Sequence, residues 1–186
     1  GYLTSATNTT EKYQYSNDSV STGTNLLETR ETLGGCGNSS MGLFGGGFAI
    51  STYYAKTDKY SYSTDTVAAG TNLGTARGYV SSASNSTTGI FFAGYLGSGD
   101  ALITTERYNL TNDSRAAGTN LSTSRSSTAA AGNLTFGLVA AGINNSSILL
   151  TTEKYDYSTN GVSAGTNLGT SRYSLAAGSG NHGGLS

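Results

Sequence analysis

Four times along the chain an acid, a base and a tyrosine stand in succession: Glu11-Lys12-Tyr13, Asp58-Lys59-Tyr60, Glu106-Arg107-Tyr108 and Glu153-Lys154-Tyr155. A carboxylate beside a cation and a phenol is the set of groups that moves protons in general acid and base catalysis. An arginine (Arg30, Arg77, Arg125, Arg172) follows each acid after 19 residues, and the tetrapeptide Gly-Thr-Asn-Leu starts between them at Gly23, Gly70, Gly118 and Gly165. Recurrence at 47, 48 and 47 residues decides how to read these groups. An active site must break the repeat symmetry, whereas a residue present in every copy is architecture, one supersecondary unit burying its apolar face against the next. The periodic acids and bases are therefore expected to pin strand ends and loops between units, with each arginine bonding backbone carbonyls of an adjacent unit.

The groups outside this pattern carry little chemistry. His182 is the only histidine, which leaves no second imidazole for a metal pair, and its Asn-His-Gly-Gly setting is a turn. Cys36 is alone, so it forms no internal disulfide, and its repeat counterparts are Ala83 and Ala130, the pattern of a small buried side chain. Asp18, Asp65 and Asp113 recur in one polar turn and become Asn160 in the last copy, which fits turn formation better than calcium ligation. Gly45-Gly46-Gly47 lacks the helix and lysine of a phosphate loop, and nothing marks a nucleophile elbow around any serine. No enzyme activity, metal or cofactor is expected.

Net charge is −1 with only 11% charged residues, which supplies no basic stripe for nucleic acid. No apolar run approaches the roughly 20 residues of a membrane span. The chain starts at Gly1 and stops mid-pattern at Ser186, as a processed product or an excerpt would. Its hydroxyl- and amide-rich make-up points to an extracellular or particle-surface setting.

The elements that position these groups are short strands. Within one unit, Gly89 to Tyr95 is an apolar run bounded by glycines and Ile103 to Leu110 is β-branched and alternating; Arg115 to Ala117 and Ser126 to Ala131 follow. With 27 glycines and no proline, four such strands per unit predict one small antiparallel sheet. The fold expected is all-β, a β-propeller of four four-stranded blades spanning 1–186 as a single domain; the alternative is four blades of a larger or oligomer-completed ring.

At Gly45-Gly46, Tyr155-Asp156, Thr159-Asn160 and Arg172 the chain resembles the kelch repeat, in order and approximate spacing. The family's tryptophan position holds Val20, Val67, Arg115 and Val162, which makes this a divergent, tryptophan-less branch. The resemblance implies a propeller whose loops and channel carry function. The enzymatic branch, typified by galactose oxidase, needs copper held by tyrosine, histidine and cysteine, which one histidine does not reproduce. Aligning the ends places Leu185-Ser186 at the phase of Ile90-Phe91 and Gly1-Tyr2 at that of Gly94-Tyr95, two positions short of four periods of 47. The two termini are thus expected to complete one blade and hide its edges.

Loops that differ between copies are the candidates for recognition: Tyr53, Tyr54 and Lys56 in the first, Tyr95 and Asp100 in the second, Asn144 and Asn145 in the third. Tyrosine gives contact area at little entropic cost, and asparagine adapts its hydrogen bonds. The expected role is a non-catalytic structural or binding module of a surface assembly: a phage or virion appendage, a decoration protein or a bacterial adhesin. Its partners would be protein subunits of that assembly, host-surface glycans or proteins, or further copies of itself. An adaptor propeller or a glycan-binding lectin is the alternative.

Overall fold

The computed structural model of the chain describes residues 6–97 and 99–179, and every element in it is a strand. In chain order these are β1 (Thr10–Gln14), β2 (Ser19–Gly23), β3 (Gly34–Gly37), β4 (Met41–Gly45), β5 (Phe48–Ala49), β6 (Thr52–Tyr53), β7 (Thr57–Ser61) and β8 (Thr66–Ala69). There follow β9 (Ser81–Ser84), β10 (Thr88–Phe92), β11 (Thr105–Asn109), β12 (Ser114–Ala117), β13 (Ala129–Gly132), β14 (Phe136–Ala140), β15 (Thr152–Asp156) and β16 (Gly161–Ala164). Three four-stranded antiparallel sheets result, β3-β4-β7-β8, β9-β10-β11-β12 and β13-β14-β15-β16; β1-β2 and β5-β6 are two-stranded hairpins. No helix long and apolar enough to cross a membrane occurs among the described residues. His182 and the terminal pairs Gly1-Tyr2 and Leu185-Ser186 lie outside the described residues.

Local chemistry sets the strand ends. Asn85 closes the turn from β9 to β10 by accepting the Thr87 and Thr88 amides on Oδ1 at 2.9 and 2.8 Å, and Asn133 repeats this before β14. The turns from β7 to β8, β11 to β12 and β15 to β16 pass through left-handed residues, Asp65, Asp113 and Asn160, at φ 52°, 60° and 57°. A short polar side chain tolerates that conformation better than a β-branched one. The acids of this turn series thus form turns.

One strand sits differently from expectation. The segment 126–131, read as the last strand of the unit that begins at Gly89, contributes β13, the first strand of the following sheet. Reciprocal bonds between Ser126 and Ile143, at 2.9 and 3.0 Å, carry it across. Each four-stranded sheet therefore draws its first strand from the preceding sequence unit.

The sheets pack face to face. Leu43 on β4 is fully buried in a cluster with Leu73, Phe91, Tyr108 and Leu110, and Ile90 on β10 is buried with Val139, Tyr155 and Tyr157 of the next sheet. Each such side chain contributes about 1.5–3 kcal/mol when removed from water. Polar ties one repeat apart accompany the apolar ones. Ser84 Oγ accepts from the Gly37 amide and donates to its carbonyl (3.1 and 2.6 Å), and the Ser81 and Thr128 hydroxyls meet at 2.6 Å.

The periodic tyrosine, acid and glycine form a bolt between sheets. The Thr71 amide donates to Tyr108 Oη and Asp113 Oδ1, both at 3.0 Å, while Lys59 Nζ reaches Asp113 Oδ2 at 2.5 Å. Gly70 lies in this joint, where a Cβ would meet Thr57 Oγ1 and Tyr108 Oη at 2.6 Å, so the tetrapeptide must begin with glycine. Thr24, Lys12 and Asp65 repeat the arrangement one unit earlier, with Tyr60 donating to Asp65. These donors hold the Asp65 carboxyl well below the usual carboxylate range, the Lys12 bond being the largest cause.

The arginines are the largest buried side chains. Arg77 donates to the carbonyls of Ala93 and Thr104 at 2.8 and 3.0 Å, to Thr104 Oγ1 at 3.0 Å and to Glu106 Oε1 at 2.7 Å. Arg125 makes the same four bonds to Ala141, Thr151 and Glu153 at 2.7–3.1 Å. Burial pushes both guanidinium groups down and the adjacent carboxylates oppose it. Arg30 bonds the Gly46 and Lys56 carbonyls and pairs with Asp58. The Arg172 side chain is exposed and, among the described residues, bonds the Thr170 carbonyl alone.

Candidate recognition surface

A functional surface on a repeat protein is found where the copies diverge, and the structure gathers such residues at one edge of the sheets. Phe48, Tyr95 and Ile143 occupy equivalent positions just past a glycine turn, and each is tied back by an isolated bridge, to Glu31, Gly78 and Ser126. Gly47, Gly94 and Gly142 supply the positive φ that this turn requires, at 110°, 107° and 95°. The variable loops therefore leave the sheets at one common edge.

Tyr53 and Tyr95, from different repeats, come together there with ring centroids 5.9 Å apart. Phe48 packs on Tyr53 at 4.8 Å and Tyr79 on Tyr95 at 6.4 Å, the latter edge to face. Burial among neighbouring phenols pushes the Tyr53 hydroxyl up from its ordinary value. Four aromatic rings thus form a continuous, partly solvated platform, with Tyr79 41% exposed. Tyr79 stands where the other copies have Thr32, Ser127 and Ser174. Its backbone φ of 52° matches those of Thr32, Ser127 and Ser174, at 57°, 52° and 53°, so the tyrosine sits on the same left-handed corner.

Next to the platform the β5-β6 hairpin turns through Ile50 and Ser51, at φ 45° and 68°. A two-residue turn with both φ values positive favours Asn-Gly, and a β-branched residue there is strained. Ile50 is nevertheless 96% exposed at the tip. This apolar side chain is thus held in water at a conformational cost and is not buried by any of the described residues. Leu96 is exposed on the neighbouring loop.

The other expected loop residues are distributed differently. Asn145 donates to Asp100 Oδ1 at 2.8 Å and accepts the Ala101 amide at 2.9 Å, joining two loops into a polar shoulder. Asn144 is occupied by its own turn, accepting the Ser146 and Ser147 amides. Lys56 pairs with Glu28. Tyr54 is half-buried, its amide bonded to Gly47 and its carbonyl to Arg77. The structure brings Tyr53 to Tyr95 and Asp100 to Asn145, and leaves Tyr54, Lys56 and Asn144 outside either group. Phe48, Ile50 and Tyr79 were missed by sequence reading. Comparing Tyr79 with its three small counterparts was the available signal.

Opposite chemistry prevails elsewhere. A cavity of about 250 Å³ is lined by segments 35–38, 82–84, 130–132 and 177–179 with Tyr62, all small or uncharged side chains. Burial pushes the Cys36 thiol up to about 12, so it stays protonated and a poor nucleophile. Among the described residues no cluster of three or more His, Cys, Asp or Glu is placed to hold a metal ion. No family model matches the chain, and no curated protein matches it.

Proposed function

We infer that the chain is a divergent kelch-like propeller of four blades that serves as a non-catalytic binding module of a surface assembly, a phage or virion appendage or a bacterial adhesin. The observation that carries this reading is the platform of Phe48, Tyr53, Tyr79 and Tyr95 beside the exposed, strained Ile50. Aromatic rings and an apolar tip next to the polar Asp100–Asn145 shoulder make a mixed surface of the kind that engages a protein subunit or a host-surface polypeptide. A glycan stacked on the tyrosines is the second reading, favoured by the edge of Tyr79 left in water. The ring arrangement is supported by the cavity, to which segments from all four repeats contribute.

The test uses substitutions that return the site to the repeat's own chemistry. Tyr79→Ser copies Ser127, and Ile50→Asn gives the turn a residue that tolerates its φ. Both should leave the thermal midpoint unchanged or raised. Adhesion to immobilised bacterial cells and binding to a glycan array should fall at least about tenfold, the loss expected for a central aromatic contact. Undiminished binding by the double variant would place recognition on another surface.

A further inference from the structure

Three kinds of contact between neighbouring sheets recur from repeat to repeat, so the register gives the partners that the last sheet lacks. Arg30, Arg77 and Arg125 meet Asp58, Glu106 and Glu153, which assigns Glu11 to Arg172. Lys12 and Lys59 meet Asp65 and Asp113, and Thr24 and Thr71 donate their amides to the same two acids, which assigns Asp18 to Lys154 and Thr166. Leu43 packs on Tyr108 and Leu110, and Ile90 on Tyr155 and Tyr157, which assigns Tyr13 and Tyr15 to Leu138.

Glu11, Tyr13, Asp18, Leu138, Lys154 and Arg172 are solvent-exposed although their counterparts are not; Thr166 and Tyr15 are exposed too, as Thr24, Thr71, Thr119 and Tyr62 are in the other copies. Arg172 is exposed where the other three arginines are at most 1% exposed, and Leu138 is 39% exposed where Leu43 and Ile90 are fully buried. Tyr13 is 51% exposed where Tyr108 and Tyr155 are fully buried. Lys154, Thr166, Glu11 and Asp18 are exposed as well. One edge of the molecule therefore carries Arg172, Lys154 and Leu138, and the other the acids and tyrosines that complement them in charge and shape.

We propose that the β1-β2 hairpin docks onto the β13-β14-β15-β16 sheet of the same chain, with Arg172 engaging Glu11, Lys154 engaging Asp18, and Tyr13 and Tyr15 covering Leu138. A surface and its complement on one molecule give either a closed ring or an open filament. The ring is favoured because segments 35–38 and 177–179, from opposite ends of the repeat series, line one cavity of about 250 Å³. This rests on the ring reading of the fold and names the side chains that fasten it.

The experiment uses the full 186-residue chain carrying Cys36→Ala. Thr166→Cys with Asp18→Cys probes the seam, and Thr71→Cys with Asp113→Cys probes an interface the structure already contains. Mild oxidation should link both pairs within one chain, with no dimer by intact mass. In parallel, Glu11→Arg and Arg172→Glu should each lower the thermal midpoint and the double reversal should restore it. Seam links found only between chains would overturn the proposal in favour of assembly from copies. A linked control beside an unlinked seam would overturn it in favour of an open edge. An intrachain seam link with silent charge reversals would keep the ring and overturn the salt-bridge latch. None of these outcomes depends on Tyr79 or Ile50, so failure of the recognition surface is read separately.

Discussion

The sheet β3-β4-β7-β8 and the sheet β9-β10-β11-β12 are built on one plan, yet their buried arginines are satisfied to different degrees. Arg77 spends Nη1 on two carbonyls, Nη2 on Thr104 and Glu106, and Nε on Thr75. Arg30 keeps the two carbonyl bonds, but Nη2, though 2.7 Å from Asp58 Oδ2, is out of line for a hydrogen bond, and Nε has no acceptor among the described residues. Two substitutions account for the difference at Nη2. Asp58 is one methylene shorter than Glu106, and Lys56 stands where Thr104 offers its hydroxyl. A buried ion pair stabilises only when its remaining hydrogen-bonding capacity is filled. The same fold position is thus well paired in one sheet and under-paired in the other.

The largest effect expected on this contrast comes from removing the well-paired cation. Arg77→Met leaves the buried Glu106 with Arg115, at 3.4 Å, as its one cation among the described residues, and should cost about 3 kcal/mol in urea unfolding. Arg30→Met should cost clearly less, and equal losses would erase the distinction. A smaller, opposite change tests its cause. Asp58→Glu combined with Lys56→Thr rebuilds the second sheet's pattern in the first and should gain on the order of 1 kcal/mol by supplying missing acceptors. No gain would mean that the neighbouring hairpin, and not the acceptors, limits this site.

The smallest effect separates the first sheet from the last by pH. Asp65 accepts the Thr24 amide at 3.0 Å, whereas its counterpart Asn160 accepts the Thr119 amide at 3.3 Å and does not titrate. Because the folded Asp65 carboxyl is held below its ordinary value, its contribution is present above the unfolded value of about 4 and is lost as pH falls through the folded one. Hydrogen exchange corrected for intrinsic rates should show Thr24 losing protection below about pH 4 and Thr119 keeping it. Parallel loss at both amides would assign the change to global unfolding.

The repeat made much of the architecture legible. Tyr108, Arg125 and the glycine of Gly-Thr-Asn-Leu were marked by period alone; β11 falls within the alternating segment read for it, and β10 and β12 each begin one residue before the apolar and short segments read for them. A period carries no phase, however, and no composition cue shows that Ser126 crosses to the next sheet, because that step depends on backbone bonds to Ile143. At the rim, Tyr53 and Tyr95 were visible as departures between copies. Their convergence with Tyr79 was not, since it follows from the left-handed corner at Tyr79 and the glycine turns that aim the loops.

The bolts that join consecutive units also shape how the chain folds. Lys12 reaches Asp65 and Lys59 reaches Asp113, each across little more than one repeat, so native partners find one another without long loop closures. Yet the two joints are chemically alike, and nothing in Lys12 itself rejects Asp113. A folding intermediate can therefore satisfy a correct local contact with the wrong copy, skipping a unit and leaving it expelled. Self-similarity speeds the search and multiplies its errors, and a chain of this kind is expected to refold with a minor slow phase that vanishes when one lysine–aspartate pair is reversed in sign and made unique.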